Sequence, residues 1–152
     1  MNRDPRIYWG RIALAAVLSE VMVVAVLIAT TTAYRFLVAP GRAAAEYDAF
    51  GELAGYYVAP ITAGLATFLG AVWVGRKLTS GFVVNGTLVG AGAVVLTGGI
   101  IFVAKPEDRL MYGVSFVLRI VGGCLGGVVA RRMSSRRPAS LTTFEGKVRG
   151  RA

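Results

Sequence analysis

Apolar residues fall into four long blocks, at about positions 12–38, 53–75, 82–104 and 110–132, separated by short polar joins. At about 1.5 Å of rise per helical residue, each block is long enough to cross a hydrocarbon layer of about 30 Å. A small globule could not cover so much apolar surface with its remaining polar residues. The pattern therefore predicts an all-α polytopic membrane protein. The joins are a polar stretch from Pro40 to Glu52, a tight turn from Arg76 to Gly81, and Lys105 to Arg109. Joins this short favour an up-down-up-down bundle of four transmembrane helices with consecutive helices adjacent. Residues 1–133 form that domain, and residues 134–152, basic and without hydrophobic periodicity, form a flexible cytoplasmic tail drawn to anionic headgroups. Ala43 to Ala49, inside the first join, are expected to form a short surface helix. The first block is longer than a signal-peptide core, so it is kept as a helix even though Ala43-Ala44-Ala45 offers a small-residue site.

Charge orients the bundle. On one side lie Arg3, Arg6, Arg11, Arg76, Lys77, Arg131, Arg132, Arg136, Arg137, Lys147, Arg149 and Arg151, twelve basic residues against the two acids Asp4 and Glu145. On the other lie Arg35, Arg42, Lys105 and Arg109, four basic residues against Glu46, Asp48, Glu52, Glu107 and Asp108. The positive-inside rule then puts both termini and the central turn in the cytoplasm. Aromatic residues sit where rings meet headgroups: Tyr8 and Trp9 before the first helix, Tyr34 and Phe36 near its far end, Tyr56 and Tyr57 in the second, Trp73 at its close, and Tyr112 at the start of the fourth.

Composition narrows the chemistry. The chain of 152 residues has no histidine and one cysteine, Cys124. That excludes a serine or cysteine nucleophile with a histidine base and leaves little from which to build a transition-metal site. No cofactor is expected, and the protein is read as a non-enzyme. The net charge of +9 is explained by orientation in the membrane, because no zinc-finger spacing, recognition helix or aromatic stacking strip accompanies it. Specific nucleic-acid binding is not expected.

Two sets of residues stand out inside the blocks. The first is small: the i,i+4 pairs Gly86/Gly90, Gly122/Gly126 and Gly123/Gly127 place bare backbone on single helix faces, where neighbouring backbones can approach. Those faces serve either packing within the bundle or an interface with another copy or a partner. The first helix has no glycine between Ile12 and Val38 and is expected to be peripheral or lipid-facing. The second set is charged. Glu20 lies nine residues beyond Arg11, about 13 Å of helix, and Arg119 lies twelve residues before Arg131, about 18 Å from the same side. Isolated charges at that depth are costly, so the two are expected either to pair across the first and fourth helices or to face a polar cavity. Asn85 and Thr97 are candidates for hydrogen bonds between helices.

The glycine-rich second helix closing on Gly75-Arg76, the small-residue third helix from Gly86, and the fourth helix with Gly122-Gly123 ending in Arg131-Arg132 resemble the small uncharacterised four-helix integral membrane proteins of bacteria. The resemblance covers Ala54 to Arg132 and implies no activity for these residues. The expected role is a structural or accessory subunit of a cytoplasmic-membrane assembly in contact with lipid, as a homo-oligomer or with a membrane protein partner. The alternative is a small oligomeric transporter or channel-like protein that uses Glu20 and Arg119.

Overall fold

The computed structural model describes residues 6–99 and 109–135. Among them the chain is all-α, 88% helical, with no strand. Helix α1 spans Trp9–Ala33 and runs into a π-helical turn, Tyr34–Val38; α2 spans Ala44–Gly75, α3 Phe82–Gly98 and α4 Arg109–Ser135. Three segments, Trp9–Val38, Ala44–Gly75 and Arg109–Ser135, are long and apolar enough to cross a membrane. Helix α3, at 17 residues, is a shorter apolar helix about 26 Å long. The expected continuation of the third helix to Ala104, and all but the start of the expected tail, lie outside the described residues.

Helix α2 begins nine residues before the apolar block that announced it. Residues 44–52, expected as a loop with a short surface helix, are the first turns of one continuous helix. Local chemistry accounts for this. Ala44, Ala45 and Ala49 are strong helix formers, Glu46 sits in the first turn where the helix dipole favours an acid, and Arg42 bridges to Glu46 at 3.2 Å. The extension is pinned to α1 by Tyr34, which stacks on Phe50 with centroids 3.7 Å apart and meets Tyr47 edge-on. Tyr47 accepts the Arg42 backbone N–H and donates to the Ala39 carbonyl, which closes the turn. The onset of hydrophobicity marks where a helix meets apolar surroundings, not where its hydrogen bonding begins.

Contacts between helices fix their directions. Gly64 meets Leu118, Gly122 meets Gly64 and Thr67, Gly126 meets Phe68 and Ala71, and Gly75 meets Ala130, so α2 and α4 run parallel. Gly86 lies against Gly123 and Gly127 while Gly90 lies against Arg119 and Ile120, so α3 and α4 run antiparallel. Tyr8 bonds Asn85 and Ala16 touches Gly92, which makes α1 parallel to α3. The start of α1, the end of α2, the start of α3 and the end of α4 therefore share one end of the bundle. Helix α4 packs on α2 and α3, and α1 packs on α2 and α3 from the opposite side. Consecutive helices were expected to be adjacent, and each consecutive pair is in contact, while the most extensive contact joins α2 to α4. Glycine explains this, because α4 can come closest where two bare faces meet.

Each expected glycine is placed in these seams. A Cβ on Gly122 would run into the Gly64 carbonyl, and one on Gly126 into the Phe68 carbonyl and, at 2.8 Å, the Ala71 side chain. A Cβ on Gly123 or Gly86 would strike the other's carbonyl, one on Gly90 the Arg119 carbonyl, and one on Gly127 the Phe82 carbonyl at 2.6 Å. The two faces of α4 thus serve two neighbours inside the bundle, α2 and α3, and are not left over for another chain. The peripheral first helix is half right: Ile12, Ala15, Ala16, Ser19 and Val23 are buried, while Leu14, Val17, Leu18, Val21 and Ile28 face outward. Ile12 and Ala15 join Val74, Leu78 and Val89 in a compact apolar cluster near the shared end.

These seams make a graded prediction. Gly126→Ala is expected to cost about 1–3 kcal/mol by overpacking, read as a lower midpoint in detergent melting. Gly113→Ala, with nothing within 4 Å of the added carbon, is expected to stay within about 0.5 kcal/mol of the parent. Equal effects at the two sites would show that the close approach of α4 to α2 is not what holds the bundle.

Candidate functional site

On α1, α3 and α4 the buried residues lie toward the shared end, while on α2 burial reaches back to Pro60 and Ala54. Burial stops at Val23 on α1 and Ala93 on α3, and on α4 it begins at Ser115. Arg119 and Glu20 sit near that far limit. The structure brings them together as an ion pair between Arg119 Nη1 and Glu20 Oε1, with side chains 7% and 20% exposed.

The pair joins the two helices that pack on each other least, α1 and α4, across the diagonal of the bundle. Ala16 lies against Gly92 and Arg119 against Gly90, so Glu20, one turn beyond Ala16, is no nearer the shared end than Arg119. This differs from the depths read from the flanking arginines, and side-chain direction closes the distance. Every Cα–Cβ bond in a helix tilts toward that helix's own N-terminus. Helices α1 and α4 are antiparallel, so Arg119 leans away from the shared end and Glu20 leans back toward it. Small residues on the intervening helices keep the route narrow in section: Gly90 takes the Arg119 backbone carbonyl directly, and Ala63 and Ala93 are fully buried. Arg119 Nε is buried without a hydrogen-bond partner, so the contact of Nη1 with the carboxylate leaves that donor unspent.

Asn85 is the second polar centre and is fully buried. Its Oδ1 accepts the Tyr8 backbone N–H at 3.0 Å, and its Nδ2 donates to the Arg6 carbonyl at 3.0 Å and the Gly81 carbonyl at 2.9 Å. Tyr8 is the N-cap residue of α1 and makes no side-chain cap of its own, so Asn85 satisfies one of that helix's free amides from another element. Gly81 allows this: its φ of 68° is left-handed, which turns the chain from the Arg76–Gly81 join into α3 and presents its carbonyl to Asn85. The bond thus runs between α3 and the segment entering α1. Thr97 does not behave the same way. It donates to the Ala93 carbonyl at 2.9 Å within α3 and is corrected to an intrahelical role.

Sequence reasoning passed over Thr67 and Ser19. Thr67 is fully buried, donates to the Ala63 and Gly64 carbonyls, and borders Gly122 at the α2–α4 seam. Ser19 is buried beside Glu20 and donates to the Ala16 carbonyl at 2.7 Å. Both return their hydroxyls to their own helices, so position in an apolar run was the only available signal. A surface cavity of about 690 Å³ is an open apolar groove lined by α1 and the π-turn, among them Ala25, Ala29 and Phe36. It contains neither charged residue of the pair. No known protein family, curated protein or solved structure matches the chain.

Removing one charge should cost more than removing both. Glu20→Leu alone leaves a guanidinium buried and unpaired and is expected to lose about 3–5 kcal/mol of stability, with Arg119→Met alone likewise stranding the carboxylate. The double change Glu20→Leu with Arg119→Met restores apolar packing and is expected to recover most of that loss in a double-mutant cycle of unfolding in detergent. Additive losses would show that the two groups do not interact. Asn85→Leu is expected to speed hydrogen exchange at the Tyr8 amide at least tenfold, with the α2–α4 seam unchanged. Unchanged exchange at Tyr8 would remove Asn85 as the clasp.

Proposed function

We propose that this protein is a non-enzymatic structural or accessory subunit of an assembly in the cytoplasmic membrane of a bacterium. Four helices cross the bilayer up-down-up-down, with both termini and the basic end in the cytoplasm. The observation that carries this reading is the Glu20–Arg119 pair itself. The two intramembrane charges of the described helices are directed at each other, at the limit of a packed core, and tie α1 to α4. A scaffold needs that kind of fixed rotation between helices, and intramembrane pairs supply it by making other arrangements expensive.

The surface is consistent with a partner in the membrane. The outward stripe of α1, with Leu18 and Val21 at 51% and 58% exposure, is apolar along its length, as are Ile61 and Leu65 on α2. Such faces meet lipid or another helix. Because the glycine faces are consumed inside the bundle, assembly would use these broader aliphatic surfaces.

A second reading is favoured by a different observation. Arg119 Nε is buried without a partner and Glu20 is the more accessible member of the pair, which suits an anion- or proton-linked site in a small oligomeric transporter. Native mass spectrometry after mild-detergent extraction at near-native abundance separates the two. A different protein retained in stoichiometric amount is the expected result. A homo-oligomer without such a protein, giving proteoliposome flux that Glu20→Gln abolishes, would overturn the subunit reading in favour of transport.

A further inference from the structure

The shared end of the bundle concentrates positive charge in a defined shape. Arg6, Arg11, Arg76, Lys77, Arg131 and Arg132 all lie there, and every one except the half-buried Arg11 is exposed. Among the described residues no carboxylate lies at this end, because Glu46, Asp48 and Glu52 are at the start of α2 and Glu20 is paired deep in the bundle. The ion pairs of the described residues, Arg42–Glu46 and Arg119–Glu20, use none of these six cations.

Two of the cations are brought side by side by the α2–α4 seam. Gly75 lies directly against Ala130, so Arg76, just past the end of α2, and Arg131, in the last turns of α4, stand near the same level on two parallel helices. Between these helix ends is a groove of about 240 Å³ lined by Gly75, Arg76, Ala130, Met133 and Ser134. Its walls are mixed: a guanidinium, a hydroxyl, and the apolar side chains of Met133 and Ala130. Trp73, 43% exposed, and Trp9, 65% exposed, stand at the same end and mark the level at which rings meet headgroups.

We propose that the groove between the end of α2 and the last turn of α4 is a binding site for the phosphodiester headgroup of an anionic phospholipid, held by Arg76 and Ser134, with Lys77, Arg131 and Arg132 adding charge at the rim. The chemistry is matched on both counts. The planar guanidinium of Arg76 meets two phosphate oxygens at once, and the Ser134 hydroxyl on the neighbouring helix donates to the same group from the other wall. Met133 and Ala130 accompany the glycerol and upper acyl carbons, which a free phosphate lacks. The site rests on the membrane placement of α2 and α4 and is independent of whether the protein is a subunit or a transporter.

The test uses the full chain in zwitterionic detergent with phosphatidylglycerol or phosphatidylcholine added, and native mass spectrometry to count lipids retained. One phosphatidylglycerol is expected to be held in preference to phosphatidylcholine, and Arg76→Gln with Arg131→Gln is expected to lower that preference by roughly thirtyfold. Arg76→Lys with Arg131→Lys keeps the charge and is expected to retain a weakened preference, which guards against a glutamine variant that fails to fold. Arg35→Gln with Arg42→Gln, at the opposite end, is expected to change nothing. Equal retention of the two lipids by the parent protein overturns the proposal, as does a preference indifferent to Arg76 and Arg131. Full displacement of the lipid by millimolar glycerol phosphate would also overturn it, since the site would then recognise the phosphate alone.

Discussion

The close approach of α4 to two helices at once is the constraint on which the rest of the structure depends. In a bilayer the lipid tails are as apolar as the side chains, so helices gain little from hiding leucine and much from bringing backbones into contact. Gly122 and Gly126 present bare backbone to α2, and Gly123 and Gly127 present it to α3. One residue of offset turns a helix by about 100°, so the two pairs cover adjacent faces and seat α4 in the furrow between its neighbours. With α4 there, Arg119 looks through the furrow toward α1, and the ion pair with Glu20 becomes possible. Packing comes first in this order, and the charges follow from it.

That order also says what the pair does energetically. A buried ion pair is a poor source of stability, because desolvating both groups offsets most of their attraction. It is an effective source of discrimination, since any rotation of α1 or α4 that separates the two leaves both exposed to hydrocarbon. The glycine seams hold α4 in place, and Glu20 with Arg119 sets which face of α1 completes the bundle. Asn85 does similar work at the basic end, where it binds the segment that enters α1.

Much of this was legible in the sequence. The apolar blocks, the glycine pairs and the two intramembrane charges are all local patterns, and the helical class follows from the first. What could not be read was which helices become neighbours. Loop length favours consecutive pairs, but the closest packing follows the distribution of small residues, and that distribution does not say whether a bare face meets a neighbour or another chain. A surface helix at Ala43 to Ala49 was read, but not its continuity with α2, because residues 44–52 are helical by propensity, capping charge and the Tyr34–Phe50 stack, none of which registers as hydrophobicity. Thr97 was misread since a hydroxyl in an apolar helix bonds its own backbone as readily as a neighbour's.

The separation of Glu20 and Arg119 along the chain has a consequence for biogenesis. Glu20 lies 99 residues before its counter-ion. At about 5–20 residues per second, the ribosome needs on the order of 5–20 s to deliver Arg119 after Glu20 has been made. Throughout that interval α1 carries a carboxylate with no partner, and its first turn awaits Asn85 as well. The nascent chain is therefore asymmetric in time: its first helix is made first and is the last to gain its full set of partners.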